Sequence, residues 1–468
     1  MIAMRLSEIA KVVGGEVSGD ASTEVSGPAF VDSRLVEPGG LFVAVVGEHV
    51  DGNEYAAAAV TAGAAAVLGS RATGAPTVVV ADPVAALGKL ARHVVDQLPG
   101  LTVLALTGSQ GKTGTKDYLA QVLATAGPTV ATAGNFNNEI GVPRPVLRAT
   151  PETDYLVVEM GARGIGHIRY LCEIANPSIA AVVNVGTAHM SEFGSREAIA
   201  QAKGEILEGL PEDGVAVLNG DDELVAAMRS RTRARVVTFG AGVGSDLLVS
   251  DIELDEIGRP TASFTLAPAT GERVTRRQAL RPIGRHQVSN AAAAAAMALA
   301  AGLDFADVVE ALGAATSLSR WRMEPTERAD GVTVINDAYN ANPASMGAAL
   351  DALQGIRARS GRRTVAVLGE MKELGDGSAQ AHEGVGADAA RREVDVLLVI
   401  GEPARPMVDG AAKVTSWSGT ATFVEDRAAA LAWLRENVAA GDVVLVKASR
   451  GAALELVAEG LLEEETDR

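Results

Sequence analysis

The sequence predicts an α/β protein of three domains, and three observations carry that prediction. A glycine-rich loop, LTGSQGKTGTKD starting at Leu106, lies between an apolar run and a stretch of helical character. Short apolar runs alternate with helical stretches from Leu101 onward and again from Val332, the pattern of doubly wound, mainly parallel sheets. Between about 245 and 280 the alternation gives way to strand after strand with polar turns, which predicts an antiparallel appendage to the central sheet.

Each element follows from its residues. Up to about residue 100, LFVAVVG from Leu41 and APTVVVAD from Ala75 read as short strands, and the LPG turn at Leu98 closes a small α/β domain. LTVLAL reads as a buried strand and KDYLAQVLATAG as a helix, so the glycine loop between them opens a helix N-terminus. Further strands are expected at YLVVEMG from Tyr155, IAAVVNVG from Ile179 and GVAVLNGDD from Gly214. DLLVSDIELDE and TASFTLAPATGERVTRR form the appendage, and the alanine tract 291–301 returns the chain to helix. The third domain, Rossmann-like α/β, takes its strands from VTVINDAYN, RTVAVLGEM, VDVLLVIGE and GDVVLVKAS. The expected boundaries are 1–100, 101–317 and 318–468, since 468 residues exceed what one growing core accommodates.

Composition narrows the function. A formal charge of −18 argues against general affinity for nucleic acid, which relies on clustered Lys and Arg. No apolar stretch approaches the ~20 residues of a membrane span, and the alanine tract is the longest. MIAMRLSEIAKVVGG does not read as a signal peptide, and the chain has one cysteine, Cys172; both predict the reducing cytoplasm. A lone cysteine is more often a small core residue than a nucleophile, so Cys172 is assigned no chemistry.

The glycine loop points to ATP. Gly108 and Gly111 let backbone N–H groups approach phosphate oxygens, Lys112 neutralises the terminal phosphates, and the Thr113 hydroxyl can take a place on Mg²⁺. Residues Thr107, Gly108, Ser109, Gln110, Gly111, Lys112, Thr113 and Gly114 are thus candidates for the nucleotide. The first glycine of a full Walker A pattern would fall at Leu106, although the GKT ending is intact; the bland alternative is a glycine turn that binds nothing.

Other candidates stand where apolar runs end. Glu159 closes YLVVEM, His189 follows VVNVGTA, and Asp221 and Asp222 follow VAVLNG; an acidic group at such a strand tip is placed to hold Mg²⁺, or is simply a solvated end. NFNNEIGVP offers the amides of Asn137 and Asn138 to phosphate and sugar hydroxyls, or forms an Asn-rich turn. Lys203, in AIAQAKGEILEGL, is by default a solvated lysine. In WRMEPTERADGVTVINDAYNANP, Arg322 suits phosphates and Asp337 a ribose, unless the two form an ion pair at a domain junction.

Assembled, these segments resemble the Mur ligase family of ATP-dependent amide-forming enzymes over essentially the whole chain. LTGSQGKT, NFNNEIGVP, VNVGTAHMSEFGS, AKGEI, PIGRHQVSNAAAA, INDAYNANPASM, LGEMKELG and VLVKASRGA carry the resemblance. It implies ATP as cosubstrate, two Mg²⁺ ions, and a monomer that joins D-alanyl-D-alanine to UDP-MurNAc-tripeptide through an acyl phosphate. Lys112 and Thr113 would serve the phosphates, with Glu159 and His189 in the metal sphere. Lys203 would be carbamylated and act as an anion beside a second Mg²⁺, which needs its amine neutral long enough to capture CO₂. Asn290 would contact adenine, Arg322 the phosphates and Asp337 the ribose, with Tyr339 and Asn340 beside them. Ser33 and Arg34, with Asn137 and Asn138, would face the UDP-sugar, while Lys447, Ser449 and Arg450 would face the incoming dipeptide. Asn53 stands where related sequences read DGH, which leaves contacts in that loop open.

The resemblance also implies rigid-body closure of the third domain around three substrates. Rival readings are a sibling ligase that adds one amino acid, a folylpolyglutamate synthase, and a non-catalytic nucleotide-binding scaffold. INDAYNANPASM in place of a DNPR segment counts against the sibling, the N-terminal DSR segment against the folate enzyme, and the complete motif set against the scaffold.

Overall fold

The computed structural model describes residues 1–47, 50–186, 193–267 and 272–463. Three larger sheets organise the chain. The first runs in the order Glu16–Ser18, Thr77–Val79, Ala66–Gly69, Leu41–Val43, Ala29–Phe30, parallel except for the pairing of its first two strands.

The second sheet has nine strands, ordered Val274–Ala279, Pro260–Leu266, Leu247–Leu254, Arg235–Gly240, Val215–Asn219, Ile179–Val182, Thr102–Thr107, Tyr155–Glu159, Thr129–Ala131. Thr102–Thr107 is buried from Val103 on and pairs in parallel on both sides, Leu104 standing opposite Val157 and Ile179. A parallel strand covered on both faces must be apolar throughout, which is why these strands read as unbroken Val, Leu and Ala runs.

Strand order also fixes where a ligand can sit. After Thr102–Thr107 the chain goes to strands on one side and then crosses to Ile179–Val182 on the other, so the order reverses around the strand that ends in the glycine loop. The crevice beyond the carboxyl ends of the strands at such a reversal is where open α/β sheets bind ligands.

The appendage is a meander. The main chains of Asp255 and Arg259 close one hairpin, and Leu280 N donates to Pro260 O while Thr265 and Thr275 hydroxyls meet at 2.8 Å, an antiparallel register. It joins the sheet by a short parallel pairing of Phe239 with Leu247 and Gly240 with Leu248.

The third sheet is ordered Glu324–Glu327, Thr333–Asn336, Val443–Lys447, Thr364–Leu368, Val396–Ile400, Thr420–Val424, parallel apart from its first strand. Beyond residue 100, four strands had no clear signal in the sequence: Thr129–Ala131, Arg235–Gly240, Glu324–Glu327 and Thr420–Val424. Three of these are sheet edges, where half-exposed polar residues replace the apolar run.

By packing, the chain divides into two compact units, Met1–Ser250 with Ser263–Gln278 and Val288–Ala315, and Asp251–Ala262 with Ala279–Gln287 and Thr316–Arg468. Among the described residues no helix is long and apolar enough to cross a membrane. Cys172 lies in the core of the first unit with its Sγ 3.8 Å from Met160 Sδ, and burial pushes the thiol up to about 12. At pH 8 the folded protein is therefore expected to resist iodoacetamide and the protein in guanidinium to react fully; rapid labelling of the folded protein, read by mass, would contradict this burial.

Candidate active site

In the first unit Lys112, Thr113 and Glu159 stand at the carboxyl ends of Thr102–Thr107 and of the strand beside it. Gly111 caps helix Lys112–Ala124 with φ +76°, a left-handed conformation that glycine adopts without strain. A Cβ built on it would lie 2.4 Å from Asn290 Oδ1, so the Asn290 amide sits directly against the loop. Lys112 Nζ folds back onto Gly108 O at 2.7 Å.

Sequence reasoning missed the residue that fixes this loop. Asn184 Oδ1 accepts from the main-chain N–H groups of Ser109 and Gln110 at 3.0 and 2.9 Å, and its Nδ2 donates to Gln110 O at 3.0 Å. Its only signal was an asparagine interrupting the apolar run IAAVVNVG. The loop is thereby held at Ser109 and Gln110, just before Gly111, Lys112 and Thr113 open the helix N-terminus, the end suited to an anion.

Glu159, fully buried at the next strand end, holds the most informative carboxylate. Thr113 Oγ1 donates to Oε2 at 3.0 Å and Asn137 Nδ2 to Oε1 at 2.8 Å. Both donors are neutral, and among the described residues Glu159 has no ion-pair partner. A buried carboxylate without a counter-charge is costly, so the arrangement calls for a cation. The hydroxyls of Thr107 and Ser109, buried nearby in sequence on the same loop, have no hydrogen-bond partner among the described residues. A Thr hydroxyl, an uncompensated carboxylate and two orphaned hydroxyls fit a nucleotide phosphate chain with its hard divalent cation.

Lys203 is not a solvated lysine. It lies on helix Arg196–Glu208, is only 5% exposed, and its amine is lowered to about 7, by burial first and by the positive charge of Lys112 second. Two residues on, buried Glu205 accepts from the main-chain N–H groups of Gly166 and Arg169 at 2.5 and 3.1 Å, at the N-terminus of helix His167–Ala175.

Other candidates stand apart from this cluster. Asp221 and Asp222 accept from main-chain N–H groups of Ala241, Gly242, Val185, Leu224 and Val225, a structural role. Asn138 Oδ1 accepts from the N–H groups of Ile140 and Gly141, stabilising its own turn, whereas neighbouring Asn137 reaches Glu159. Ser33 and Arg34 lie on a surface turn where Arg34, its side chain 86% exposed, forks onto Asp32 at 2.9 and 2.7 Å. That pairing holds the Asp32 carboxyl at about 2. His189 lies outside the described residues.

The second unit has its own cluster at strand ends. Asp337, after Thr333–Asn336, pairs with Lys447, at the end of Val443–Lys447, at 2.7 Å, and Lys447 also donates to Asn340 O at 2.9 Å. The ion pair of Asp337 is thus with Lys447, which sequence reasoning had assigned to another substrate, and not with Arg322. The Arg322 guanidinium stacks over the Tyr339 ring at 4.2 Å, with its Nε buried and without a hydrogen-bond partner among the described residues. Ser449 Oγ accepts from Lys372 N at 2.9 Å, and Arg450 stacks over Trp321 at 4.1 Å while pairing with Glu455.

Comparison with known proteins matches the chain from end to end. Residues 30–95 match the model of the Mur ligase family catalytic domain, 106–298 that of the Mur ligase middle domain, and 321–450 that of the Mur ligase glutamate ligase domain. The UDP-N-acetylmuramoyl-tripeptide–D-alanyl-D-alanine ligase of Mycobacterium bovis is 46% identical, with 100% of this chain and 99% of the relative covered. The ligase of the same name from Escherichia coli is 37% identical, with both chains fully covered. Among solved structures, MurF from Acinetobacter baumannii superposes with a TM-score of 0.83 at 33% identity, covering 98% of this chain and 99% of that one. MurF ligase from Thermotoga maritima in complex with ADP gives 0.76 at 31% identity, covering 95% and 99%.

Proposed function

We infer the reaction from one premise: the chain belongs to the Mur ligase family. It is the ATP-dependent ligase that joins D-alanyl-D-alanine to UDP-MurNAc-tripeptide, a step in the synthesis of peptidoglycan precursors. The observation that carries the residue assignments is the Glu159 carboxylate, buried between Thr113 and Asn137 with no counter-charge among the described residues, at the end of the strand beside the one that leads into the phosphate loop.

A carboxylate is a poor electrophile, so one of its oxygens first attacks the γ-phosphorus of ATP. The bond from that phosphorus to the β–γ bridging oxygen breaks, and ADP leaves. The dipeptide nitrogen then attacks the acyl carbon, phosphate departs with the electron pair of the acyl C–O bond, and the nitrogen loses a proton. The helix N-terminus at Gly111, Lys112 and Thr113 binds the phosphate chain, and Lys112 moves from Gly108 O to the terminal phosphates.

Thr113 and Glu159 would hold Mg²⁺, joined on the strength of the family resemblance by His189 and a carbamylated Lys203. Bound Mg²⁺ supplies the positive charge that offsets the phosphate oxygens during phosphoryl transfer. Burial of Lys203 supports carbamylation, because the neutral amine is the form that captures CO₂. Asn290, Arg322, Asp337, Tyr339 and Asn340 are assigned to the rest of the nucleotide. The UDP-sugar is assigned to 1–100, ATP to 101–317 and the dipeptide to 318–468, with Ser33 and Arg34 on the first and Lys447, Ser449 and Arg450 on the last. The reducing setting implied by one buried cysteine supports a cytoplasmic location.

The test is phosphate release from ATP with UDP-MurNAc-tripeptide, with and without D-alanyl-D-alanine, and product mass in parallel. The expected result is release that needs both substrates and a product heavier by the dipeptide less water. Turnover only with a single amino acid would move the assignment to a sibling ligase of the same family.

A further inference from the structure

We propose that Lys116 is a positioning residue for the cation and phosphate site: it holds the amide-rich segment and the Glu159 main chain in register with the helix that carries Thr113. The inference rests on the reading of Glu159 as the cation-holding carboxylate. Lys116 lies one turn beyond Thr113 on helix Lys112–Ala124 and is 3% exposed. Its Nζ donates to Thr132 O at 2.9 Å and Gly134 O at 3.1 Å and pairs with Asp117 at 2.8 Å.

Those two carbonyls belong to the segment that shapes Glu159. Thr132 Oγ1 accepts the Glu159 main-chain N–H at 3.1 Å. Beyond Gly134 the chain reaches Asn137, which donates to one Glu159 oxygen while Thr113 donates to the other. The contacts close a ring: Thr113 to Glu159, Glu159 to Asn137, back along the chain to Gly134, across to Lys116, and one helical turn to Thr113. Both oxygens of the carboxylate are aimed by groups on this ring, and Lys116 is the cation that ties its amide-rich side to the helix.

An ammonium suits the position because it brings three donors to acceptors from two segments. Methionine has similar length and no donor, so Lys116→Met opens the ring while filling the space. Supporting residues of this kind shift metal affinity by ~10-fold or more when removed.

The test compares Lys116→Met, Lys116→Arg, Thr132→Val and Glu159→Gln in the full chain. Binding of Mn²⁺ with ADP is read by electron spin resonance and calorimetry, and kcat and KM are measured against Mg²⁺ and D-alanyl-D-alanine. Lys116→Met is expected to raise the half-saturating cation concentration about tenfold and to leave the KM for D-alanyl-D-alanine within about twofold, with Lys116→Arg recovering most of the loss. Thr132→Val moves cation binding the same way without touching the buried charge pair, and carries the test if Lys116→Met does not fold. Cation binding that is weakened by Glu159→Gln but unchanged in Lys116→Met and Thr132→Val would overturn the positioning role. Unchanged binding in Glu159→Gln would instead remove the reading of Glu159 on which it rests.

Discussion

Replacing Lys203 with alanine lowers ligation by about a hundredfold or more, and a small carboxylic acid such as formate restores part of the loss. The expectation follows from the environment of the amine. Burial disfavours the ammonium, and the charge of Lys112 adds to the effect, so the amine is lowered to about 7. The sign is fixed by that direction: the neutral amine prevails above about pH 7 and is lost below it. In the proposed carbamylation the neutral amine would attack CO₂: a C–N bond forms, one C=O π pair moves onto oxygen and the nitrogen gives up one proton, so that a neutral group becomes an anion attracted to Lys112. In ¹³C-labelled bicarbonate the wild-type protein should therefore show a carbamate resonance that the alanine variant lacks. Full activity in Lys203→Ala would end the carbamate reading, and so would a loss that carboxylic acids do not relieve in protein without the resonance.

Gly111→Ala is expected to weaken ATP binding by about thirtyfold through two separate costs. A φ of +76° strains any residue with a Cβ by roughly 1–2 kcal/mol. The new methyl would also meet Asn290 Oδ1 at 2.4 Å, so either the loop or the Asn290 amide must move. A flexible amide yields more readily than a helix N-terminus, and its displacement removes a group assigned to the nucleotide. A double-mutant cycle separates the costs: coupling between Gly111→Ala and Asn290→Ala reports the contact, and the remainder reports the backbone. Wild-type ATP affinity in Gly111→Ala, measured by calorimetry, would show that neither cost reaches the phosphate site.

The buried parallel strands were legible in the sequence because coverage on both faces demands continuous apolar runs. LTVLAL, YLVVE, IAAVV and VAVLN stand in the structure where those runs predicted strands. The phosphate loop was legible for a local reason, glycines and a Lys-Thr pair between a strand and a helix. Its partners were not, since the hydrogen bonds between Asn184 and the Gln110 main chain join residues 74 apart and leave no mark on local pattern. The same applies to Asp337 and Lys447, 110 apart, which chemistry alone sent to different substrates. Lys203 shows the opposite limit: its type and helical setting predicted exposure, and only tertiary packing buries it.

Glu205 connects that lysine to the mechanics of the first unit. One helix supplies both Lys203 and the carboxylate that satisfies two main-chain donors at the start of helix His167–Ala175. Sliding the Lys203 helix by one residue, about 1.5 Å, would break that cap, so the pair behaves like a ratchet tooth in its notch. The amine's depth is thus set by an indexing device two residues away from the chemistry, and drift in either helix is resisted by the other.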